Sequence, residues 1–369
     1  MRFSIARRVL AVLKSITHKK NCRIRFFLGA CIVCSLLVYI IFFVLLADDW
    51  IIDDQYVNAV DESVLKKRVD FREVAIDRRC SKRTSRCYSV FDRKIPKGRR
   101  SFEDIVERHL LIDGYSDDSD TVVRLIPPKG ESFDHSDTRI WDVDHSDIRS
   151  QYVAGMLVAP FLVSSLTLNS PDIGKTVLEI GLGGGSFDMN LHKWKPNVNI
   201  SVVELDSTVA DIAKRWFGVE EKKNRHTIVQ DGLDYLDQAL KQGVTFDVIV
   251  LDACDDAIRA PCPAEVFRSA KVIGNFKKAL TSSGCLIVNI LSNDNPEAKN
   301  NSDEIVQLFS SMFPTCIRMR MTKEINIILT CMPYSIADIR QQISFYNSRL
   351  KSVISHLKLD SILDKVAVI

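Results

Sequence analysis

Val177-Leu178-Glu179-Ile180-Gly181-Leu182-Gly183-Gly184-Gly185-Ser186 is an apolar run that breaks into a glycine-rich turn, and a second apolar run, Val202-Val203-Glu204-Leu205-Asp206, ends in carboxylates. Glycines let the backbone approach a ligand, and the N-terminus of the following helix offers N–H groups to an anion. The acid closing the second run is placed to accept hydrogen bonds from ribose hydroxyls. A plain strand-to-helix turn needs one glycine, whereas Gly181, Gly183, Gly184 and Gly185 crowd into five positions. The order predicts a parallel α/β sheet that holds a nucleoside-bearing ligand.

Working outward, apolar runs and helical patterns alternate. Strands are expected near 176–181, 200–205, 226–231, 246–252 and 284–291, with helices near 186–194, 207–217, 232–242, 263–280 and 303–313. Such alternation argues a parallel sheet with right-handed crossovers. The ending differs: Cys316-Ile317-Arg318-Met319-Arg320-Met321 and Ile325-Asn326-Ile327-Ile328-Leu329-Thr330 are separated only by Thr322-Lys323-Glu324. Two strands so joined form an antiparallel hairpin. This α/β domain is expected over 148–335, opening on a helix near 148–168, with a helical segment at 336–369. Upstream, Tyr88-Ser89-Val90-Phe91, His109-Leu110-Leu111-Ile112 and Thr121-Val122-Val123-Arg124-Leu125-Ile126 predict a small β subdomain over 79–147. Residues 48–78 are mixed and charge-rich and read as a stalk or a short helix (Ser63 to Val74).

The amino-terminal 47 residues are of another kind. Residues 1–25 carry eight basic side chains and no acid, and Phe26 to Ala47 runs 22 residues without a charge. At about 1.5 Å per residue this reaches roughly 33 Å, enough for a hydrocarbon core of about 30 Å. The run is too long for a cleavable signal peptide and has no polar stripe for a core helix. It is expected to be a signal anchor, a single membrane span over 26–47. Basic residues before it, and Asp48, Asp49, Asp53 and Asp54 after it, predict a type II protein with 1–25 cytoplasmic. A cytosolic cofactor would then have to reach an active site across the membrane, a conflict the sequence leaves standing.

The net charge of +3 comes largely from the basic tail, so no nucleic-acid surface is expected. Of ten cysteines the only C-x-x-C pair, Cys31 and Cys34, lies inside the span, so no zinc site is expected beyond it. Seven cysteines follow the span, an odd number. Cys80 and Cys87 could pair in an extracytoplasmic domain. Cys285, Cys316 and Cys331 fall in apolar strands and read as buried thiols. Asp134-His135-Ser136-Asp137 recurs as Asp144-His145-Ser146-Asp147, and turn or cap roles are preferred there over metal binding.

The residues that carry chemistry follow from the strand ends. Asp231-Gly232 closes the third strand, and an acid there suits an exocyclic amine, though Asp231 can also cap the next helix. Asp252, Asp255 and Asp256 cluster after strand four; they can orient a cationic amine or simply cap the loop.

The glycine turn, Glu204, Asp231-Gly232, Asp252 and the closing hairpin together resemble the S-adenosylmethionine-dependent class I methyltransferases. Residues 105–333 are similar, more narrowly, to the spermidine-synthase-like branch, nearest the C-terminal domain of the methyltransferase-like protein 13 family of elongation factor 1-alpha lysine and N-terminal methyltransferases. Gly181 to Ser186, Arg215-Trp216-Phe217-Gly218 and Asp231-Gly232-Leu233-Asp234-Tyr235 carry that likeness. It implies that Gly181, Gly183, Gly184, Gly185 and Ser186 contact the methionine end of S-adenosylmethionine, Glu204 its ribose, and Asp231 with Gly232 its adenine, with Asp252 bordering the same site. An amine must lose a proton before it attacks a sulfonium methyl, and Asp252 or a linked water is the candidate for that step, with Asp255 the second catalytic candidate. The pattern departs from true spermidine synthases, whose loop reads G-G-G-D-G-G and whose Y-x-E-x-x-x-H-x-P aligns with Tyr152 to Pro160. Gly184 replaces the loop aspartate, Ala154 the upstream acid and Val158 the histidine, while Asp252 and Asp255 keep D-x-x-D. A buried, unpaired ammonium is very costly, so these losses argue against a diamine substrate.

The expected function is therefore a membrane-anchored methyltransferase acting on a small-molecule amine or a protein amine. An aminopropyltransferase and a non-catalytic cofactor-binding module are its rivals, and a nicotinamide-dependent dehydrogenase is more distant. No acceptor signature of the N/D-P-P-Y/F kind is present, and a homodimer is one assembly compatible with the fold.

Overall fold

The computed structural model describes residues 73–95, 105–114, 121–257, 260–291, 296–338 and 341–369. The expected basic tail and membrane span lie outside these residues. No helix among the described residues is long and apolar enough to cross a membrane.

The first sheet is an antiparallel meander of β1 (Glu73–Cys80), β2 (Cys87–Ile95), β3 (Ile105–Ile112), β4 (Thr121–Ile126) and β5 (Asp142–Ile148), paired in chain order. Two of these strands were hidden in the sequence. β1 is rich in charge and overlaps the expected stalk or short helix, so residues 73–78 belong to the sheet instead. β5 contains Asp144-His145-Ser146-Asp147, which therefore sits in a strand and not in a turn. Both are edge strands, where one face and one side remain open to water and the apolar alternation is weak. Asp137 caps a short 3-10 turn, accepting from the Arg139 amide.

The second sheet follows from α1 (Gln151–Leu162). β6 (Thr176–Ile180), α2 (Ser186–Trp194), β7 (Asn199–Glu204), α3 (Ser207–Trp216), β8 (Arg225–Val229), α4 (Gly232–Lys241), β9 (Phe246–Leu251), α5 (Ala270–Ala279), β10 (Leu280–Ile290), α6 (Pro296–Met312), β11 (Thr315–Arg320) and β12 (Ile327–Met332) alternate, and α7 (Ile343–His356) and α8 (Asp360–Leu363) close the chain. Strand order is β11-β12-β10-β9-β6-β7-β8. β8, β7, β6, β9 and β10 are parallel, and β12 runs antiparallel to both β10 and β11. This is a mostly parallel, class I methyltransferase-like α/β sheet closed by the expected hairpin.

Period-two alternation divides the core between the two faces of this sheet. Val177, Val202, Val248, Val250 and Ile287 join one cluster with Phe161 and Leu157 of α1 and Phe187 of α2. Leu178, Val203, Ile249, Leu251 and Val288 join the other with Phe276 of α5 and Phe309 of α6. Each large apolar side chain so buried contributes about 1.5–3 kcal/mol. Asp206, Asp231 and Ser269 cap α3, α4 and α5 by accepting from first-turn amides.

The cysteines follow expectation at Cys80, Cys87 and Cys285 and depart from it at Cys316 and Cys331. Among the described residues Cys80 pairs with Cys87, Cys254 with Cys262 and Cys316 with Cys331, and Cys285 alone is a free, buried thiol that burial pushes up to about 12. Cys316 and Cys331 are thus not thiols. They stand directly opposite each other in the β11–β12 register, which composition cannot show.

Candidate active site

The same alternation that sorts the core also assembles the site. Glu179, Glu204, Asp252 and Asn289 share the parity of Val177, Val202, Val250 and Ile287, so they lie on one face of the sheet at the carboxyl ends of adjacent strands. Val288 stands opposite Leu251, Leu251 opposite Ile180, and Ile180 opposite Val203. The next residue of each strand therefore falls in line as Asn289, Asp252, Gly181 and Glu204, with Glu179 one step below the glycine. Ligands of open α/β sheets bind at this edge.

Gly181 is required by that crowding. Its backbone is left-handed (φ +96°), and a Cβ there would stand 2.3 Å from the Asp252 carbonyl oxygen. Gly185 is the N-cap of α2, also left-handed, and no side chain caps that helix. The hydroxyl oxygen of Ser186 is buried without a protein partner among the described residues. Gly184 serves a different end. Its amide donates to Thr121 Oγ1 of β4 at 2.9 Å, and a Cβ would meet Thr121 Cγ2 at 2.5 Å and the Phe217 ring at 2.8 Å. The space an aspartate would need at this position is filled by the first sheet and by the end of α3.

Burial sets the electrostatics. Glu204 accepts from the Leu182 amide (2.9 Å at Oε2) and the Asp206 amide (2.9 Å at Oε1). Burial raises its carboxyl above the usual range, and these amides partly offset that rise. Glu179 is 2% exposed and is raised well above the carboxylate range, by burial first and then by the charges of Asp188 and Asp252. Its Oε2 has no partner among the described residues. Beneath it, fully buried Asp188 pairs with Arg225 at 2.5 Å; burial raises the Asp188 carboxyl and Arg225 opposes the rise. At the other end of the row, Asn289 Nδ2 donates to Asp252 Oδ1 at 2.7 Å, and Asn326 Nδ2 donates to Asn289 Oδ1 at 2.9 Å. The closing hairpin thereby reaches the strand-four acid.

The remaining expected site residues are structural in their contacts. Asp231 Oδ1 accepts from the Leu233 amide at 2.8 Å, as a helix cap does, and Gly232 lies against Ile180, where a Cβ would approach to 2.7 Å. Asp255 Oδ1 accepts from the Ala257 amide at 3.0 Å and Oδ2 from the Glu265 amide at 2.6 Å, clamping the loop that Cys254–Cys262 also closes. Asp256 points to Arg86 of the β1–β2 turn at 3.6 Å. Of the three acids after strand four, Asp252 is the one hydrogen-bonded into the row. Glu179, Asn289, Asn326 and Thr121 were missed. Parity along the strands would have found Glu179 and Asn289; nothing local marks the other two.

Comparisons with known proteins bear on the fold that carries this site. Residues 162–333 match the family model of the spermine/spermidine synthase domain. The chain is 26% identical over 194 residues to the eEF1A lysine and N-terminal methyltransferase homolog of Drosophila melanogaster, covering 51% of this chain and 28% of that protein. It is 29% identical over 165 residues to the eEF1A lysine and N-terminal methyltransferase of Homo sapiens, covering 43% and 23%. It thus spans about a quarter of the length of these curated relatives. A probable spermidine synthase from Corynebacterium glutamicum has the same fold, with a TM-score of 0.50 at 12% identity over 77% of this chain and 92% of that one.

Proposed function

We propose, from the premise that residues 162–333 form a spermidine synthase-like domain, that the protein binds S-adenosylmethionine and methylates an amine. The acceptor class suggested by the relatives' names is a lysine or N-terminal amine of a protein. The observation that carries the reading is the left-handed Gly181 turn pressed on the Asp252 backbone and flanked by buried Glu204 and Glu179. That turn brings the ends of adjacent strands together at the carboxyl edge of the sheet, with Glu204 for ribose hydroxyls and Asp231 for an adenine amine. The uncapped start of α2 and the Ser186 hydroxyl suit a carboxylate. Bound there, S-adenosylmethionine would supply an electrophilic methyl group on sulfur.

The chain's own contribution is positional. An amine with a reference pKa of about 10.4 must lose a proton before it attacks. Asp252, steadied by Asn289, would hold the incoming ammonium and take its proton, directly or through water. Asp255, expected as a second catalytic acid, is occupied by two loop amides and would act by holding the loop. Aminopropyl transfer is disfavoured by the same contacts. Ala154 and Val158 are fully buried in α1, leaving no carboxylate there for a diamine, and the loop position of the missing aspartate is filled.

The three disulfides support the type II reading, in which a span at 26–47 places the domain on the oxidising side of a membrane. They also favour a second reading, a cofactor-binding module without turnover, because the cofactor would have to be supplied across that membrane. Calorimetric titration of the full chain with S-adenosylmethionine, its decarboxylated form and S-adenosylhomocysteine tests the proposal. Binding of the carboxylated forms, with methyl transfer to protein amines, is expected. Preference for the decarboxylated form with spermidine production would overturn it, and binding with no transfer to any amine would leave the second reading.

A further inference from the structure

The turn between β1 and β2, closed by Cys80–Cys87, reaches the cofactor edge of the other sheet. Thr84 Oγ1 donates to Asp206 Oδ2 at 3.1 Å, and the Tyr88 hydroxyl donates to the same oxygen at 3.2 Å. Asp206 Oδ1 is taken by the Thr208 amide at 2.9 Å, the cap of α3. The Asp206 amide in turn donates to Glu204 Oε1. Asp206 is therefore held from both sides, by its own helix and by a turn more than a hundred residues away in the chain, and what it holds is the carboxylate that closes strand β7.

We propose that Tyr88 and Thr84 are positioning residues for Glu204, acting through Asp206, so that recognition of the cofactor's ribose depends on the disulfide-closed turn. This rests on the cofactor reading above. A helix cap alone needs only Oδ1 of Asp206; the two hydroxyls on Oδ2 add nothing to α3. They fix the direction of the Asp206 amide and hence of Glu204. Packing does not explain the tyrosine either. Its ring lies among Val90, Leu110, Val209, Ile212 and Phe217, an apolar cluster that would accept phenylalanine equally well. A buried phenol next to a carboxylate is retained at a desolvation cost that only its hydrogen bond offsets. Burial pushes that phenol up to about 12, so it stays a donor across the working pH range. Burial of Asp206 is outweighed by the hydrogen bonds that the turn's hydroxyls and the Thr208 amide donate to it, which keep its carboxyl low and charged.

The test crosses a protein change with a ligand change. Full-length wild-type chain and the Tyr88→Phe/Thr84→Val double variant are titrated calorimetrically with S-adenosylhomocysteine and with its analogue lacking both ribose hydroxyls. The double variant should bind S-adenosylhomocysteine about tenfold more weakly, and the dideoxy analogue within about twofold of wild type. In a Glu204→Gln background the same pair of substitutions should have no further effect, and Thr84→Ser, which keeps its hydroxyl, should bind as wild type does. Equal weakening of both ligands would show a merely structural role and overturn the proposal, as would unchanged affinity for S-adenosylhomocysteine. Should Tyr88→Phe/Thr84→Val fail to fold, Tyr88→Phe alone carries the same comparison. Wild-type chain that binds neither ligand would overturn the cofactor reading itself, and this inference with it.

Discussion

Gly184→Ala separates two explanations for the missing loop aspartate, lost polyamine chemistry and lack of space. The added Cβ would stand 2.5 Å from Thr121 Cγ2 and 2.8 and 3.0 Å from two carbons of the Phe217 ring, which is fully buried. Overpacking of this kind costs about 1–3 kcal/mol. Displacing Thr121 also loosens its bond from the Gly184 amide, now 2.9 Å, for about 1 kcal/mol more. The expected destabilisation is about 2–4 kcal/mol, and more for Gly184→Asp, which adds a charge against a phenyl ring. Urea unfolding followed by the fluorescence of neighbouring Trp216 reads it out; with a slope of about 3 kcal/mol per molar, the midpoint should fall by about 1 M. Thr121→Ser removes Cγ2 and keeps the hydroxyl, so it should restore roughly half of the loss in the Gly184→Ala background. An unchanged midpoint for Gly184→Ala, or no recovery with Thr121→Ser, would refute the packing argument.

Glu204→Ala should weaken S-adenosylmethionine binding by about 1.5–3 kcal/mol by calorimetry, whereas Asp231→Ala should weaken it less and also cost about 1 kcal/mol of stability as a lost helix cap. Glu179 has a folded-state pKa raised above the ordinary 4.5. Its contribution is therefore fully present below that ordinary value and lost as pH rises through the raised one, and urea midpoints of Glu179→Gln should decline less than wild type over that window. Asp252→Asn should abolish methylation of any amine acceptor while cofactor affinity, read separately by calorimetry, stays within about threefold. A C-terminal tag on the full chain should resist protease in sealed microsomes; its digestion without detergent would place the domain on the cytosolic side.

Much of the second sheet was legible because its strands and helices alternate with clear periods and its turn residues are punctuating glycines. The closing hairpin was legible from two β-rich runs with a short gap. β1 and β5 were not, since charged edge strands lack the apolar alternation that identifies half-buried ones. Asp231 was readable as a helix cap from its immediate neighbours, and its partner is the Leu233 amide two residues on.

The sequence by itself determined the strand–turn–helix at 176–194 and the carboxylate closing the next strand. Each of these is a matter of neighbouring residues, where spacing along the chain is also spacing in space. Only the tertiary structure decided that Asn289, Asp252, Gly181 and Glu204 fall in one line, that Cys316 faces Cys331, and that Thr121, Thr84 and Tyr88 reach across from another sheet to brace the glycine turn and Asp206. Those relations depend on strand register and on how two sheets pack. Both are set by the total burial of many side chains at once, and no short stretch of sequence contains that sum.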